Sequence, residues 1–147
     1  MDKDDSEDIN GAKIAAQILS RMNRATQERL RRQIEERAPE ISVKIEANMF
    51  RFDDIADLHG PGVQVLVQNI SHQDLVLSLK TASSKVKAKF LENISQRKQQ
   101  MVEEDVDALG PQTVSEVEDA QRRILVKLDE LRTAGLIRSE AKNDVWV

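Results

Sequence analysis

The amino-acid sequence predicts an all-helical protein, and three of its features carry that prediction. Apolar residues recur at spacings of three and four, as the buried face of a helix requires. Aromatic residues make up only 3% of the chain, which disfavours β-sheet. Capping residues, glycine or proline separate the periodic stretches. We therefore expect short helices joined by brief connectors.

Length and composition limit the classes of protein to which the chain can belong. The 147 residues are 39% hydrophobic and 33% charged, which suits one compact domain or two small helical subdomains. A net charge of -4 disfavours nucleic acid as a partner, because no overall positive field attracts phosphate. The chain has no cysteine, which excludes disulfides and thiolate chemistry and agrees with a reducing compartment.

The N-terminal residues and the hydropathy of the chain predict a cytoplasmic protein. Residues 1–9 form an acidic leader without the basic start and apolar stretch of a secretory signal. No apolar run approaches the ~20 residues that a membrane-spanning helix needs. We expect no direct membrane insertion, so any association with a membrane requires a partner.

Residues 10–48 are expected to form three short helices. The first covers 12–22, and Asn23 or Thr26 can begin the second. Pro39 suits the first turn of the third helix, because its missing N–H costs little there. The predicted apolar stripe of the first helix consists of Ile14, Ile18 and Met22, with Ala15 and Leu19 beside it.

A concentration of large apolar residues follows, in the segment Met49, Phe50, Arg51 and Phe52. Methionine adapts to different apolar neighbours because its side chain is unbranched and flexible. The segment can therefore be a joint with two alternative packings. The other interpretation is that these side chains are ordinary core, and periodicity alone does not separate the two.

Residues 53–137 contain further short helices and one long final helix. Gly60-Pro61-Gly62 is expected to break the chain before a helix that starts at Val63. Gly110-Pro111 stops another helix, and Gly135 ends the last one. The tail, 138–147, is expected to be partly mobile or loosely docked. The residues that can begin the intervening helices are Ser71, Ser83 or Ser84, Ser95 and, with Glu118 in a capping box, Ser115.

Residue types that support catalysis are not arranged for it. His59 and His72 are not spaced as a helical metal pair, and we expect both to be surface residues. Gly60-Pro61-Gly62 lacks the Gly-Lys-Ser/Thr that follows in a phosphate-binding loop. The carboxylates stand in mixed-charge runs that are typical of solvated surface. The sequence therefore predicts no enzyme, no cofactor and no metal site.

The segment Ser95–Leu109 predicts a helix with one apolar face and one charged face. At ~100° per residue, Val102, Val106 and Leu109 share the apolar face. Exposed ion pairs contribute only ~0 to 1 kcal/mol to stability, so the charges would matter mainly between molecules. The alternative is an ordinary solvated surface, which spacing alone favours. The charged face consists of Arg97, Gln100, Glu104 and Asp107, with Asp105 on its flank.

Several motifs occur in order over nearly the whole chain, and in that order they resemble the FliG family. The Met-Phe-x-Phe segment at 49–52 is the most specific of them, because it is similar to the family's hinge. The full series is GAKIAAQIL from Gly11, Arg24-Ala25-Thr26-Gln27-Glu28, Ala38-Pro39-Glu40, Met49-Phe50-Arg51-Phe52, Leu79-Lys80-Thr81-Ala82, Lys89-Phe90-Leu91, Asn93-Ile94-Ser95-Gln96-Arg97, Glu104-Asp105, Gly110-Pro111 and Val117-Glu118-Asp119-Ala120-Gln121.

The resemblance implies an armadillo-like triplet of short helices in 10–48, a hinge in 49–52 and a six-helix C-terminal subdomain in 53–137. It also implies that charged residues of that subdomain engage the cytoplasmic loop of a MotA-like stator. Two of them, both basic, would meet acidic groups of the stator, and the two acidic ones would meet basic groups. The positions that match the family's charged residues are Lys80, Arg97, Glu104 and Asp105.

Further partners implied by the resemblance are a FliM-like rotor protein and neighbouring copies of the same protein in a ring. The implied location is the cytoplasmic face of the inner membrane, in the flagellar basal body, where rotation about the hinge would reverse the direction of rotation. The chain departs from the family in having Thr113 where arginine is frequent and Glu104 where aspartate is common. We also expect the family's N-terminal and middle domains to have no counterpart within these residues. A helical scaffold or adaptor with no motor role remains the alternative, in which apolar grooves carry the binding.

Overall fold

The computed structural model describes residues 3–138, with side chains from residue 11 onward. That part of the chain contains eight α-helices, one 3₁₀ helix and no strand, so the predicted all-α class is confirmed. Each helix within it is too short or too polar to cross a bilayer. The tail predicted to be partly mobile or loosely docked is 138–147, and all of it except residue 138 lies outside the described part. The helices are α1 Lys3–Ser20, α2 Arg24–Arg37, α3 Pro39–Asn48, the 3₁₀ helix Phe52–Asp57, α4 Gly60–Gln68, α5 His72–Leu79, α6 Ser84–Glu92, α7 Gln96–Ala108 and α8 Val114–Thr133.

The chain divides into two compact units, and the division falls between Phe50 and Arg51. Unit 1 contains α1, α2 and α3, and α3 packs against both of the other helices. Unit 2 contains the 3₁₀ helix and α4 to α8. Within unit 2, α5 lies between α8 and α7, and α6 packs against the 3₁₀ helix. The helix pair α5 and α8 is the central contact of unit 2, and α7 joins it through α5.

The core of unit 1 is small and rich in alanine. The predicted stripe on α1 is wrong for its two isoleucines, since Ile14 is 56% exposed and Ile18 is 52% exposed. The alanine face turns inward instead, because small side chains let the backbones of α1 and α3 approach closely. The buried residues of this core are Ala12, Ala16, Leu19 and Ile45, and the partly buried ones around them are Ala15, Met22, Leu30, Ile34 and Met49.

The core of unit 2 is larger and is organised around α8. The apolar spacing of α8 predicts its buried face correctly, and that face packs mainly on α5. Ser78 of α5 is also fully buried, where its hydroxyl donates to the Leu75 carbonyl at 2.8 Å. The rings of Phe52 and Phe90 stack with their centroids 6.1 Å apart. The buried residues of α8 are Val117, Ala120, Ile124, Leu128 and Leu131.

Most of the predicted helix starts are confirmed by side chains that accept a hydrogen bond from the first turn. These are Asn23, Ser71, Ser83 and Ser95. The predicted capping box of Ser115 with Glu118 is wrong. Thr113 and Glu116 form the capping box, and α8 begins two residues earlier than expected. Both pairs have the required spacing, but the earlier pair extends the helix almost to the Gly110-Pro111 break.

The expectation that Gly60-Pro61-Gly62 breaks the chain is also wrong, because these residues form the first turn of α4. Nδ1 of His59 accepts the N–H of Gly62 at 3.0 Å and so caps the helix. A Cβ on Gly62 would lie 2.9 Å from Cε1 of His59 and 3.2 Å from Cγ2 of Ile137. The glycine therefore permits close packing, and His59 is a half-buried cap rather than a surface residue.

Candidate protein-interaction site

Helix α7 carries three of the four predicted charged residues on its exposed side. Arg97 and Glu104 face away from Val102, which is 1% exposed, and Asp105 is exposed on the flank, about 60° around the helix from Val102. The helix starts at Ser95, whose hydroxyl accepts the N–H of Lys98 at 3.1 Å. The buried valine fixes the rotation of α7 about its own axis, so the charged face is held outward.

Arg97 and Glu104 stand two turns apart on this face, about 10 Å along the helix axis. The side chain of Arg97 makes no hydrogen bond or ion pair with any residue that the structure describes. Glu104 accepts a hydrogen bond from the side-chain amide of Gln100 at 3.0 Å. A free guanidinium therefore stands at the start of α7, and a carboxylate that retains acceptor capacity stands near its end.

Lys80 lies at the other end of α7 from Arg97, because its ammonium caps the C-terminus of that helix. Its Nζ donates to the carbonyl oxygens of Leu109 at 3.1 Å and Gly110 at 3.0 Å. A cation is favourable there because the partial negative charge of the helix dipole lies at that end. The structure thus brings Lys80 to the end of α7 that carries Asp105, about 18 Å along the axis from Arg97.

Asp105 has a partner that sequence reasoning did not identify. Its Oδ2 lies 2.6 Å from Nε2 of His72, with the His72 side chain 36% exposed and that of Asp105 53% exposed. His72 is the first residue of α5 and follows the cap residue Ser71. The two residues are 33 positions apart in sequence, so no local pattern indicated their contact.

A cleft with a volume of about 590 Å³ opens beside this pair, between α5, α7 and the start of α8. Its apolar part is formed by valine, leucine and alanine side chains, and carboxylates from α7 and α8 stand around it. The cleft can therefore accept a side chain that combines an aliphatic stem with a positive charge. Its lining residues are His72, Gln73, Val76, Leu77, Asp105, Ala108, Leu109, Gln112, Glu116, Asp119 and Arg123.

An ion pair between Arg123 and Asp74 holds one wall of this cleft. The guanidinium donates to both carboxylate oxygens, with distances of 2.9 to 3.1 Å. These hydrogen bonds, together with the negative charges of Asp74 and Asp119, raise the pKa of Arg123 above its usual value despite partial desolvation. The pair links α5 to α8 and neutralises the carboxylate of Asp74.

Met101 is a second residue that the prediction of the charged face left out. It is 48% exposed and lies one turn from Arg97 on one side and one turn from Asp105 on the other. An exposed methionine between charges offers an adaptable apolar contact. The signal was present in the sequence, because Met101 interrupts the polar pattern of that face.

The residues of the predicted hinge belong to two different cores. Met49 packs against the apolar cluster of unit 1. Phe52 is 8% exposed and stacks on Phe90 in unit 2. Between them, Phe50 is half-buried and Arg51 is exposed, and the N–H of Arg51 donates to Oδ2 of Asp54 at 2.8 Å.

Within the described residues, no group of three or more histidine, aspartate or glutamate side chains is arranged to hold a metal ion. What the site offers is charge of both signs on a helix face, an exposed methionine and an adjoining cleft. The described residues thus form an all-helical module with an armadillo-like arrangement of short helices, and its exposed features are of the kind that suits contact with another protein.

Comparison with known families identifies the module more closely. Residues 32–138 match the family described as the FliG C-terminal domain. Because this match covers most of the chain, the chain belongs to the FliG C-terminal domain family.

Its relatives include proteins named flagellar motor switch protein FliG. The one from Pseudomonas aeruginosa is 35% identical over 127 residues, which are 86% of this chain and 38% of that protein. The one from Thermotoga maritima is 30% identical over 129 residues, which are 88% of this chain and 38% of that protein. The chain thus spans about two-fifths of the length of these relatives.

Solved structures agree with the family assignment. A crystal structure of residues 86–343 of Helicobacter pylori FliG matches with a TM-score of 0.74 and 28% identity, covering 86% of this chain and 60% of that one. The structure of full-length FliG from Aquifex aeolicus matches with a TM-score of 0.60 and 30% identity, covering 85% of this chain and 39% of that one.

Proposed function

We propose that this chain is part of a flagellar rotor and switch component that receives torque from a stator through exposed charges. Arg97 and Lys80 would attract acidic groups on the cytoplasmic loop of a MotA-like stator protein, and Glu104 and Asp105 would attract basic groups. The observation that carries the proposal is the outward charged face of α7, whose Arg97 has no partner among the described residues. No bond is made or broken in this contact.

The physics of exposed charges suits repeated, brief contact. Such charges add little to the stability of the protein that bears them, since a typical surface pair contributes ~0 to 1 kcal/mol. Between molecules they steer the approach and fix the register, and the contact is released quickly because water screens it. A stator that pushes many copies of the rotor protein in succession needs a contact of this kind.

Lasting contacts with other rotor proteins would use a different surface. We expect a FliM-like rotor protein and neighbouring copies of this protein in a ring, on the cytoplasmic face of the inner membrane. The support for such contacts is the exposed aliphatic side chains of unit 1, at Ile14, Ile18, Ile41 and Val43. Apolar area removed from water stabilises an interface by about 25 cal/mol per Å².

Charge reversal tests the torque proposal. In a full-length motor protein that contains this chain, we expect Arg97→Glu together with Asp105→Lys to reduce swimming speed severely, because both attractions become repulsions. Circular dichroism and thermal unfolding of the purified 147-residue chain should change little, because both side chains are exposed.

Glu103→Lys is the matched control, since it reverses an exposed charge on the same helix about 100° away from Glu104. This variant should swim almost normally. Normal swimming by the Arg97→Glu and Asp105→Lys double variant, with normal expression, would refute the role of the charged face.

We also propose that the direction of rotation changes through the segment Met49–Phe52. The support is that its two ends are anchored separately, Met49 in the cluster of unit 1 and Phe52 against Phe90 in unit 2. A change of backbone torsion angles at Phe50 and Arg51 would then reorient the two units without disturbing either core.

Spin labels test the hinge directly, and the absence of native cysteine simplifies the labelling. We expect the distance distribution between labels at Arg29→Cys and Glu92→Cys, one in each unit, to have two maxima or a broad spread. A control pair within unit 2, Glu92→Cys with Asp107→Cys, should give one narrow maximum. An equally narrow distribution for both pairs would exclude the hinge.

A helical scaffold or adaptor with no motor role is the second candidate, and the exposed aliphatic residues of α1 favour it. The two candidates differ in which surface binds partners. If Ile14→Ser with Ile18→Ser abolishes capture of every rotor or stator protein, while the charge reversals change none, the scaffold function is the correct one.

A further inference from the structure

The cleft between α5, α7 and the start of α8 is preformed, because polar contacts join its walls. At one end of α5, Nε2 of His72 lies 2.6 Å from Oδ2 of Asp105 on α7. At the other end, the ammonium of Lys80 donates to carbonyl oxygens at the C-terminus of α7. On the α8 side, the ion pair of Arg123 with Asp74 joins α8 to α5. A group that enters the cleft therefore meets walls that are already in place, so binding orders few additional side chains.

Three carboxylates around the cleft each keep an oxygen that can accept a further hydrogen bond. Asp105 uses only Oδ2, in its contact with His72. Glu116 uses only Oε2, which accepts a backbone N–H at the cap of α8. Asp119 uses only Oδ1, which accepts from the guanidinium of Arg122. In the part of the chain that the structure describes, no donor reaches the other oxygen of any of the three. The cleft therefore offers acceptors from two helices, α7 and α8.

The lining of the cleft combines this negative charge with an apolar surface. The apolar lining residues are Val76, Leu77, Ala108 and Leu109. The basic side chain of Arg123 also lines the cleft, but its charge is matched by that of Asp74, to which it is bound. The charge that remains uncompensated around the apolar surface is therefore negative.

We propose that this cleft is the part of the stator contact that receives one long basic side chain, lysine or arginine, from the partner. The aliphatic stem would lie on the apolar lining, and the charged head would reach the free oxygens of Asp105, Glu116 and Asp119. The inference rests on the proposed function, because Asp105 belongs to both. It adds α5 and α8 to the contact and specifies a side chain that enters the surface.

Charge and shape together select this occupant. An acidic side chain would be repelled by the three carboxylates. A purely apolar side chain would cover their free oxygens without offering a donor, which is unfavourable. Lysine and arginine carry several donors at the end of a flexible stem, so either satisfies both parts of the lining.

Nuclear magnetic resonance tests the cleft without the stator. The 147-residue chain, labelled with a nitrogen isotope, is titrated with the methylamides of N-acetylarginine, N-acetyllysine and N-acetylcitrulline. Citrulline keeps the stem and nearly the shape of arginine but has no charge. We expect at least one basic compound to give saturable shifts of backbone amides in 72–77, 105–109 and 116–119. Binding of the citrulline compound should be at least about fivefold weaker than that of the arginine compound.

Two substitutions separate the shape of the cleft from its charge. Ala108→Phe fills the cleft without changing any charge and should weaken binding of the basic compound by at least about fivefold. Asp119→Asn removes one carboxylate with little change in shape and should weaken binding by about twofold to fivefold. The matched controls are Ala88→Phe on α6 and Glu103→Gln on α7, which change exposed residues outside the lining. Each control should bind within about 1.5-fold of the unsubstituted chain.

All four variants should fold, because none of these side chains is buried, and the amide spectrum outside the cleft verifies this. The inference is overturned if neither basic compound shifts the amides of the cleft, or if the citrulline compound binds as tightly as the arginine compound. It is also overturned if Ala108→Phe and Asp119→Asn both bind like the unsubstituted chain.

A peptide of the stator's cytoplasmic loop distinguishes this inference from the proposed function. Support requires that Ala108→Phe weaken binding of this peptide severalfold while Ala88→Phe does not. If Arg97→Glu weakens binding but Ala108→Phe leaves it unchanged, the charged face of α7 stands and only the role of the cleft is refuted. If the unsubstituted chain does not bind the peptide, the proposed function fails, and the assignment of the cleft to a stator fails with it.

Discussion

Units 1 and 2 are both built from short helices, but they bury very different amounts of apolar side chain. Among residues 11–138, unit 1 buries four hydrophobic residues, two of which are alanine, whereas unit 2 buries eighteen. Apolar burial is the largest favourable contribution to folding, at about 25 cal/mol per Å². We therefore expect unit 2 to be the more stable unit and unit 1 to open at lower free energy.

The exposed surfaces of the two units also differ in how apolar they are. Unit 1 leaves Ile14 and Ile18 on α1 more than half exposed, while the exposed face of α7 in unit 2 is mainly charged. An apolar surface is stabilised by lasting contact, and a charged surface by brief contact that water can replace. Unit 1 therefore has both the smaller core and the more apolar exposed surface.

Core truncations give the largest expected effects. Phe90→Ala should lower the free energy of unfolding of unit 2 by about 3 to 5 kcal/mol, because Phe90 is fully buried and stacks on Phe52. Leu19→Ala should cost about 2 to 3 kcal/mol and affect unit 1, whose small core can collapse more readily. Hydrogen exchange read by mass spectrometry locates each loss of protection.

Ile14→Ala is the matched control for both truncations and should change stability by less than about 0.5 kcal/mol, since Ile14 is exposed. Even without mutation, amides of α1 to α3 should exchange faster than those of α5 and α8. If Phe90→Ala and Leu19→Ala each removed protection equally from both units, the two units would unfold as one cooperative block. That result would refute the expected difference in stability between them.

Helix caps give smaller effects and sharpen the same comparison. Thr113→Ala should destabilise unit 2 by about 1 kcal/mol, because the Thr113 hydroxyl accepts the N–H of Glu116 at 3.0 Å. Asn23→Ala removes an equivalent bond to the N–H of Thr26 in unit 1. The same loss should be a larger fraction of the stability of unit 1, because α2 has no buried residue.

Ser115→Ala provides the control for Thr113→Ala, since Ser115 lies inside α8 and is exposed. Urea unfolding of the three variants should give a change within about 0.5 kcal/mol for Ser115→Ala. A loss for Ser115→Ala as large as that for Thr113→Ala would mean that α8 starts at the later capping pair after all.

The local parts of the fold were predictable because their causes are local. A cap such as Ser95 acts three residues along the chain, and the buried face of α8 follows from a spacing of three and four. The prediction failed where two local solutions had equal spacing, as with Thr113 and Ser115. It failed again for Ile14 and Ile18, where packing against α3 selected the alanine face of α1.

The sequence by itself determined the all-helical class, most helix starts and the charged face of α7, because each depends on residues within one or two turns. Only the tertiary structure decided which charges meet. Lys80 caps α7 by donating to the carbonyl of Leu109, which is 29 positions later in the sequence. His72 contacts Asp105, which is 33 positions later. Such contacts depend on how α5, α7 and α8 pack, and no periodicity along the chain encodes that packing.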